Sequence, residues 1–184
     1  SFNPAKLTSL PSEILYVLQK STSWKIKRMD VALDFEVAIS NTFLKPYKNM
    51  KISIRKDNYN RYQGVEKSFA HAILYDKARE RRDKGTSITQ KFLTRLEIRF
   101  EPALKDNRFI TCSDFSWTEE QFRKFIFIPD IRPLPVKVRE LIKSINYKKR
   151  SYSKLTRKEK SLIKEAAETH GVNYYELFAA QIIN

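Results

Sequence analysis

Lys27-Arg28-Met29-Asp30-Val31-Ala32-Leu33-Asp34-Phe35 alternates apolar and polar side chains, the period of a β-strand with one buried face. Met29, Val31, Leu33 and Phe35 fall on one side. Arg28, Asp30 and Asp34 fall on the other, with Ala32 between the two acids. Carboxylates gathered on one strand face repel each other unless a cation answers them. A divalent metal can do so, and so can arginine or lysine. In a chain of net charge +15, both readings point to a surface that handles phosphate.

Working outward, three further stretches read as strands. Met50 to Lys56 alternates again, Ser68 to Tyr75 is mostly apolar, and Phe92 to Phe100 puts Arg95, Glu97 and Arg99 opposite Leu96, Ile98 and Phe100. Asp57-Asn58 and Gln63-Gly64 are turn signals. A charged helix follows Tyr75 through Arg82 and stops at Asp83-Lys84-Gly85. A short helix, Ser9 to Gln19, precedes the strands, with Ile14, Leu15 and Leu18 spaced for one face.

Beyond Pro102 the pattern becomes helical. Ser116 is a cap with acids in the turn after it. Pro129, Pro133 and Pro135 interrupt the chain, Val136 to Ile145 resumes a helix, and Asn146 to Lys160 is dense in Lys and Arg. Leu155 to Thr169 is helical, His170-Gly171 ends it, and Asn173 caps a last helix through Ile183. Strands first and helices after predict an α+β fold with an antiparallel-leaning central sheet. Residues 1–145 read as a sheet-based domain. Residues 146–184 read as a basic helical segment with a helix-turn-helix-like tail, packed on the same domain. The tail's second helix is poor in Lys and Arg, which favours packing or dimerisation over groove reading.

Composition narrows the function classes. Lys and Arg number 36 against 21 acids, so nucleic acid is the leading partner through phosphate neutralisation. Three glycines argue against a Gly-rich phosphate loop. No apolar run approaches the roughly 18 residues of a membrane span, and no strongly basic helix carries a clean apolar stripe, so no membrane role is expected. The start, Ser1-Phe2-Asn3-Pro4, has neither the basic nor the apolar region of a signal peptide. Cys112 is the single cysteine, which excludes an internal disulfide and a cysteine zinc site. A cytoplasmic location is expected.

Asp30, Asp34 and Glu97, with His71, form a candidate metal-ligand set if their strands are neighbours. Oxygen ligands with an imidazole suit Mg2+ or Mn2+, and such an ion would stabilise charge in phosphoryl transfer. The alternative is a ladder in which Arg28, Arg95 and Arg99 neutralise the acids. His71, between Ala70 and Ala72, is either a ligand or a core histidine.

Three segments carry a family resemblance: Arg28 to Asp34, Leu74-Tyr75-Asp76-Lys77-Ala78-Arg79-Glu80, and Thr94 to Phe100. In this order they resemble motifs of plasmid and phage rolling-circle replication initiators of the Rep_trans type, with related relaxases, over about Trp24 to Lys164. The resemblance implies an HUH-like endonuclease fold, a metal site on the sheet, and a tyrosine that attacks one DNA strand. It further implies single-stranded or hairpin origin DNA as substrate, a 5′-phosphotyrosyl intermediate, a host helicase as partner and a homodimer. By position, Tyr152 matches the nucleophile best and Tyr147 second, amid Lys148, Lys149, Arg150 and Lys154, which would favour a phenolate and hold phosphate. Lys77, Arg95 and Arg99 would steady phosphate oxygens. The His-hydrophobic-His motif of the wider class is absent, since His71 and His170 are the two histidines. The rival reading is a non-catalytic basic DNA-binding module. A structural partner of replication proteins is a third.

Overall fold

The computed structural model describes residues 12, 28–47, 52–54, 60–64, 70–101 and 117–177. Apart from Ser12, the helix expected from Ser9 to Gln19 lies outside these residues. So do residues 24–27, the Asp57-Asn58 turn, Cys112, the Ser116 cap and the end of the last helix. Among the described residues, five strands form one antiparallel sheet: β1 (Met29–Phe35), β3 (Ile52–Ile54), β4 (Asn60–Gln63), β5 (Ala70–Asp76) and β6 (Thr94–Phe100). Their order across the sheet is β1-β6-β5-β4-β3. The expected α+β architecture with an antiparallel sheet is what the chain adopts.

Alternation decides which way the sheet faces. Val31, Leu74, Leu96, Ile98 and Phe100 share one side and are buried there. Each large apolar side chain so buried contributes about 1.5–3 kcal/mol. Against them pack α2 (Trp117–Phe122), Phe125, Phe127 and Tyr174. Phe122 meets Phe100 edge-on at 5.0 Å and stacks on Tyr174 at 5.8 Å. The Tyr174 hydroxyl donates to the Leu96 carbonyl at 2.6 Å, and burial pushes its pKa up.

A second core lies behind the first. It joins α3 (Val136–Asn146), α4 (Arg157–His170) and Leu134. The partition is a small ribbon of β2 (Phe43–Leu44) and β7 (Phe127–Ile128). The pair Leu44 and Phe127 faces the sheet core, and the pair Phe43 and Ile128 faces the helices. One two-residue alternation therefore serves two cores.

Some elements differ from the sequence reading. β4 is not among the strands read from the sequence, because it is polar on both sides: Asn60 and Tyr62 face outward, while Arg61 and Gln63 are buried inward. The sixth strand starts at Thr94 rather than Phe92, since the Leu93 carbonyl accepts from Lys77 and Ala78 N–H. The helix expected from Leu155 begins at Arg157, because Thr156 and Glu159 form a capping box. Asn146 ends α3 instead of opening a new unit, and its side chain ties the helix to Arg61 and to the Thr42 carbonyl.

Candidate active site

The outer face of the sheet is organised in three rows fixed by register. Asp30, Arg99 and His71 form the first. Ala32, Glu97, Ile73, Tyr62 and Ser53 form the second. Asp34, Arg95, Tyr75 and Asn60 form the third. At the end of β5 the chain turns directly into α1 (Lys77–Asp83), because the Asp76 carboxylate caps it by accepting from Arg79 N–H at 2.8 Å. Arg79, Glu80 and Asp83 of this helix, with Lys84 just after it, wall a cleft of about 390 Å3 over the outer face. Tyr62, Tyr75, Glu97 and Arg99 also line it.

The acids on this face are matched by arginines. Arg95 donates to both Asp34 oxygens at 2.6 and 2.7 Å. Arg99 reaches Asp30 at 3.1 Å and Glu97 at 2.8 Å. Arg28 also holds Asp30. Burial would raise the Asp30 carboxyl, but the Arg28 hydrogen bond and the Arg99 charge hold it below its ordinary value. The hydrogen bond to Asp34 raises Arg95. Burial pushes Tyr75 up to about 12, against the opposing charge of Arg95. Lys77 sits over the Tyr75 ring, 5.7 Å from its centre, and pairs with Glu80.

Asp30, Asp34, Glu97 and His71 thus share one face, but they do not converge on one point. Asp30 and Asp34 stand four residues apart on β1, about 13 Å at the rise of a strand. Two aspartates so placed cannot both reach an ion whose oxygens sit at about 2.0–2.6 Å. His71 is two strands from Asp30, roughly 10 Å, with Arg99 between them. His71 is 2% exposed. Among the described residues, no group of three or more His, Cys, Asp or Glu is placed to hold a metal. The four expected ligands do not fit a single Mg2+ or Mn2+, and the charge they carry is met by guanidinium.

Tyr147 and Tyr152 lie elsewhere. Arg61 aligns with Leu74 on the covered side of the sheet and donates to Asn146 at 2.9 Å. Tyr147 follows that asparagine and is 51% exposed. Tyr152 packs on the second core, and burial raises its phenol. Both therefore belong to the layer behind the sheet, across it from the carboxylates. Lys148 (φ 57°), Lys149 and Lys154 are exposed at this α3–α4 corner. Arg150 there pairs with Glu159 at 2.7 Å and 3.1 Å.

Among the described residues, the tyrosines that share the acidic face are Tyr75 and Tyr62. The signal for Tyr75 was available: the parity that sets His71 outward on β5 sets Tyr75 outward as well, four residues on. Tyr62 was hidden because β4 gives no apolar alternation.

No family model matches the sequence, and no curated protein matches it. Among solved structures, the chain is similar to a rolling circle replication initiator protein from Geobacillus stearothermophilus, with 16% identity and a TM-score of 0.32. The alignment covers 70% of this chain and 55% of that one, so the chain spans about half of that protein's length. At that TM-score the likeness says nothing about the site.

Proposed function

We propose that the outer face of the sheet nicks single-stranded DNA, with Tyr75 as the nucleophile, in a replication-initiator role. The observation that carries this reading is the position of the Tyr75 phenol: on the acidic face, opposite Arg95 and under Lys77, at an open cleft. A phenol among cations suits attack on a phosphodiester, because the cations offset charge as it develops on phosphate oxygens. The Tyr75 oxygen, its proton given up to solvent, would bond to phosphorus while the bond from phosphorus to the 3′ oxygen breaks and that oxygen takes a proton from water. That leaves a 5′-phosphotyrosyl link and a 3′-hydroxyl, and keeps the strand available for rejoining. Arg95, Arg99 and Lys77 would orient the phosphate. Lys148, Lys149, Arg150 and Lys154 would hold DNA away from the chemistry. The three ordered motifs support the replication-initiator role, whereas the resemblance matched the nucleophile by position to Tyr152; Tyr75 takes that role in this proposal because it, unlike Tyr152, lies on the acidic face of the sheet.

The runner-up is a DNA-binding module without chemistry, favoured by the arginines being already matched with acids. One experiment separates them. The protein is incubated with single-stranded DNA carrying an origin, with and without Mg2+ or Mn2+, and run on a denaturing gel. A covalent adduct lost in Tyr75→Phe and kept in Tyr147→Phe and Tyr152→Phe is expected. An adduct that survives Tyr75→Phe, or a peptide map assigning it to Tyr152, overturns the nucleophile. Retarded binding with no adduct in the unmodified protein supports the module.

A further inference from the structure

The cleft beside Tyr75 is charged at its rim and apolar at its floor. Ile73 forms the middle of that floor, half-buried, directly between Glu97 on β6 and Tyr62 on β4. Tyr75 is the next outward residue on β5, which makes Tyr62 its diagonal neighbour, about 7–8 Å away along the sheet. Aromatic rings reach across such a diagonal. Arg79, Lys84 and Arg99 bring positive charge to the lining, beside the carboxylates of Asp76, Glu80, Asp83 and Glu97.

A phosphate alone has no use for this floor. Guanidinium groups serve it, and they sit at the rim. A flat apolar and aromatic surface next to charged donors matches a nucleobase still attached to its phosphate, because every base has a π-face that stacks on an aromatic ring. Resting on the role proposed for Tyr75, we infer that Tyr62 and Ile73 form a stacking platform for the nucleobase beside the attacked phosphate. The substrate is then an unpaired strand with one base turned into the cleft. A duplex keeps that base within its own stack and would have to spend unstacking energy to offer it. Tyr62 is a binding residue in this scheme, distinct from the reacting phenol.

The test uses the full chain carrying Tyr75→Phe, so that no covalent step intervenes. Binding of a fluorescent oligo-dT is compared by anisotropy with binding of an abasic sugar-phosphate oligomer of equal length and charge. Tyr62→Ala is expected to weaken oligo-dT by about tenfold and leave the abasic oligomer unchanged. Tyr62→Phe, which keeps the ring, should stay within about twofold of the parent for both. Equal weakening of both oligomers, or no weakening of either, overturns the platform. Melting curves check that the variants fold, and Tyr62→Leu replaces the alanine variant if it does not. The two readings fail separately. Lack of an adduct with the unmodified protein removes the nicking role but not the base dependence. An adduct without base dependence removes the platform but not Tyr75.

Discussion

Arg95 on β6 grips Asp34 on β1 with two parallel hydrogen bonds, from Nε at 2.6 Å and from Nη2 at 2.7 Å. Both side chains keep part of their surface in water, at 24% and 33% exposure, so screening limits the pair to about 1 kcal/mol. Asp34→Asn should cost about that much in urea unfolding. It should also strengthen binding of single-stranded DNA, since the guanidinium would no longer be shared. Unchanged or weaker binding would mean that Arg95 does not meet phosphate.

Tyr75 supplies a pH signature. Burial pushes its phenol up to about 12, above the ordinary value near 10. The reactive phenolate fraction then grows about tenfold per pH unit until that value is approached. Adduct formation at subsaturating DNA, which reports on the free protein, should climb steadily through pH 10.5. A plateau at or below pH 10 would contradict the assignment.

Asn146 holds a cation out of water. Arg61 is 8% exposed, and burial lowers it to about 10. Asn146 accepts from Arg61 and donates to the Thr42 carbonyl, each at 2.9 Å. Asn146→Ala strips both groups of a partner inside the fold and should cost about 3 kcal/mol in urea unfolding. Asn146→Asp keeps an acceptor for Arg61 and should cost less. Equal losses would show that the arginine draws its support from elsewhere.

The start of α4 carries an acid-sensitive contact. Arg150 and the Thr156 backbone hold Glu159 at about 2, below the usual value near 4.3. A folded pKa below the unfolded one gives stability that is present above about pH 4.3 and lost as pH falls toward 2. Glu159→Gln should flatten that part of a plot of melting temperature against pH. Thr156→Ala removes the partner cap and should cost about 1 kcal/mol at neutral pH.

Alternation made the central strands readable. Met29 to Phe35 and Thr94 to Phe100 each put one residue type on each face, and the sheet buries the apolar side of both. The outward gathering of Asp30, Asp34, Glu97, Arg95 and Arg99 follows from the same parity. What parity cannot supply is distance along a strand or depth through the sheet. Four residues separate Asp30 from Asp34, and the whole sheet separates Tyr152 from both. β4 was unreadable for a related reason: its inward residues are Arg61 and Gln63, which bury by pairing with Asn146 and with the Lys124 carbonyl rather than by being apolar.

The hydrogen bond from Arg61 to Asn146 has a consequence for path. It fastens the end of α3 to the back of β4, so the lysine-rich corner joins the layer behind the sheet while the cleft lies in front of it. A polynucleotide gripped at both must bend past an edge of the sheet. Such a route suits a pliable single strand far better than a stiff double helix, whose bending is opposed over tens of base pairs.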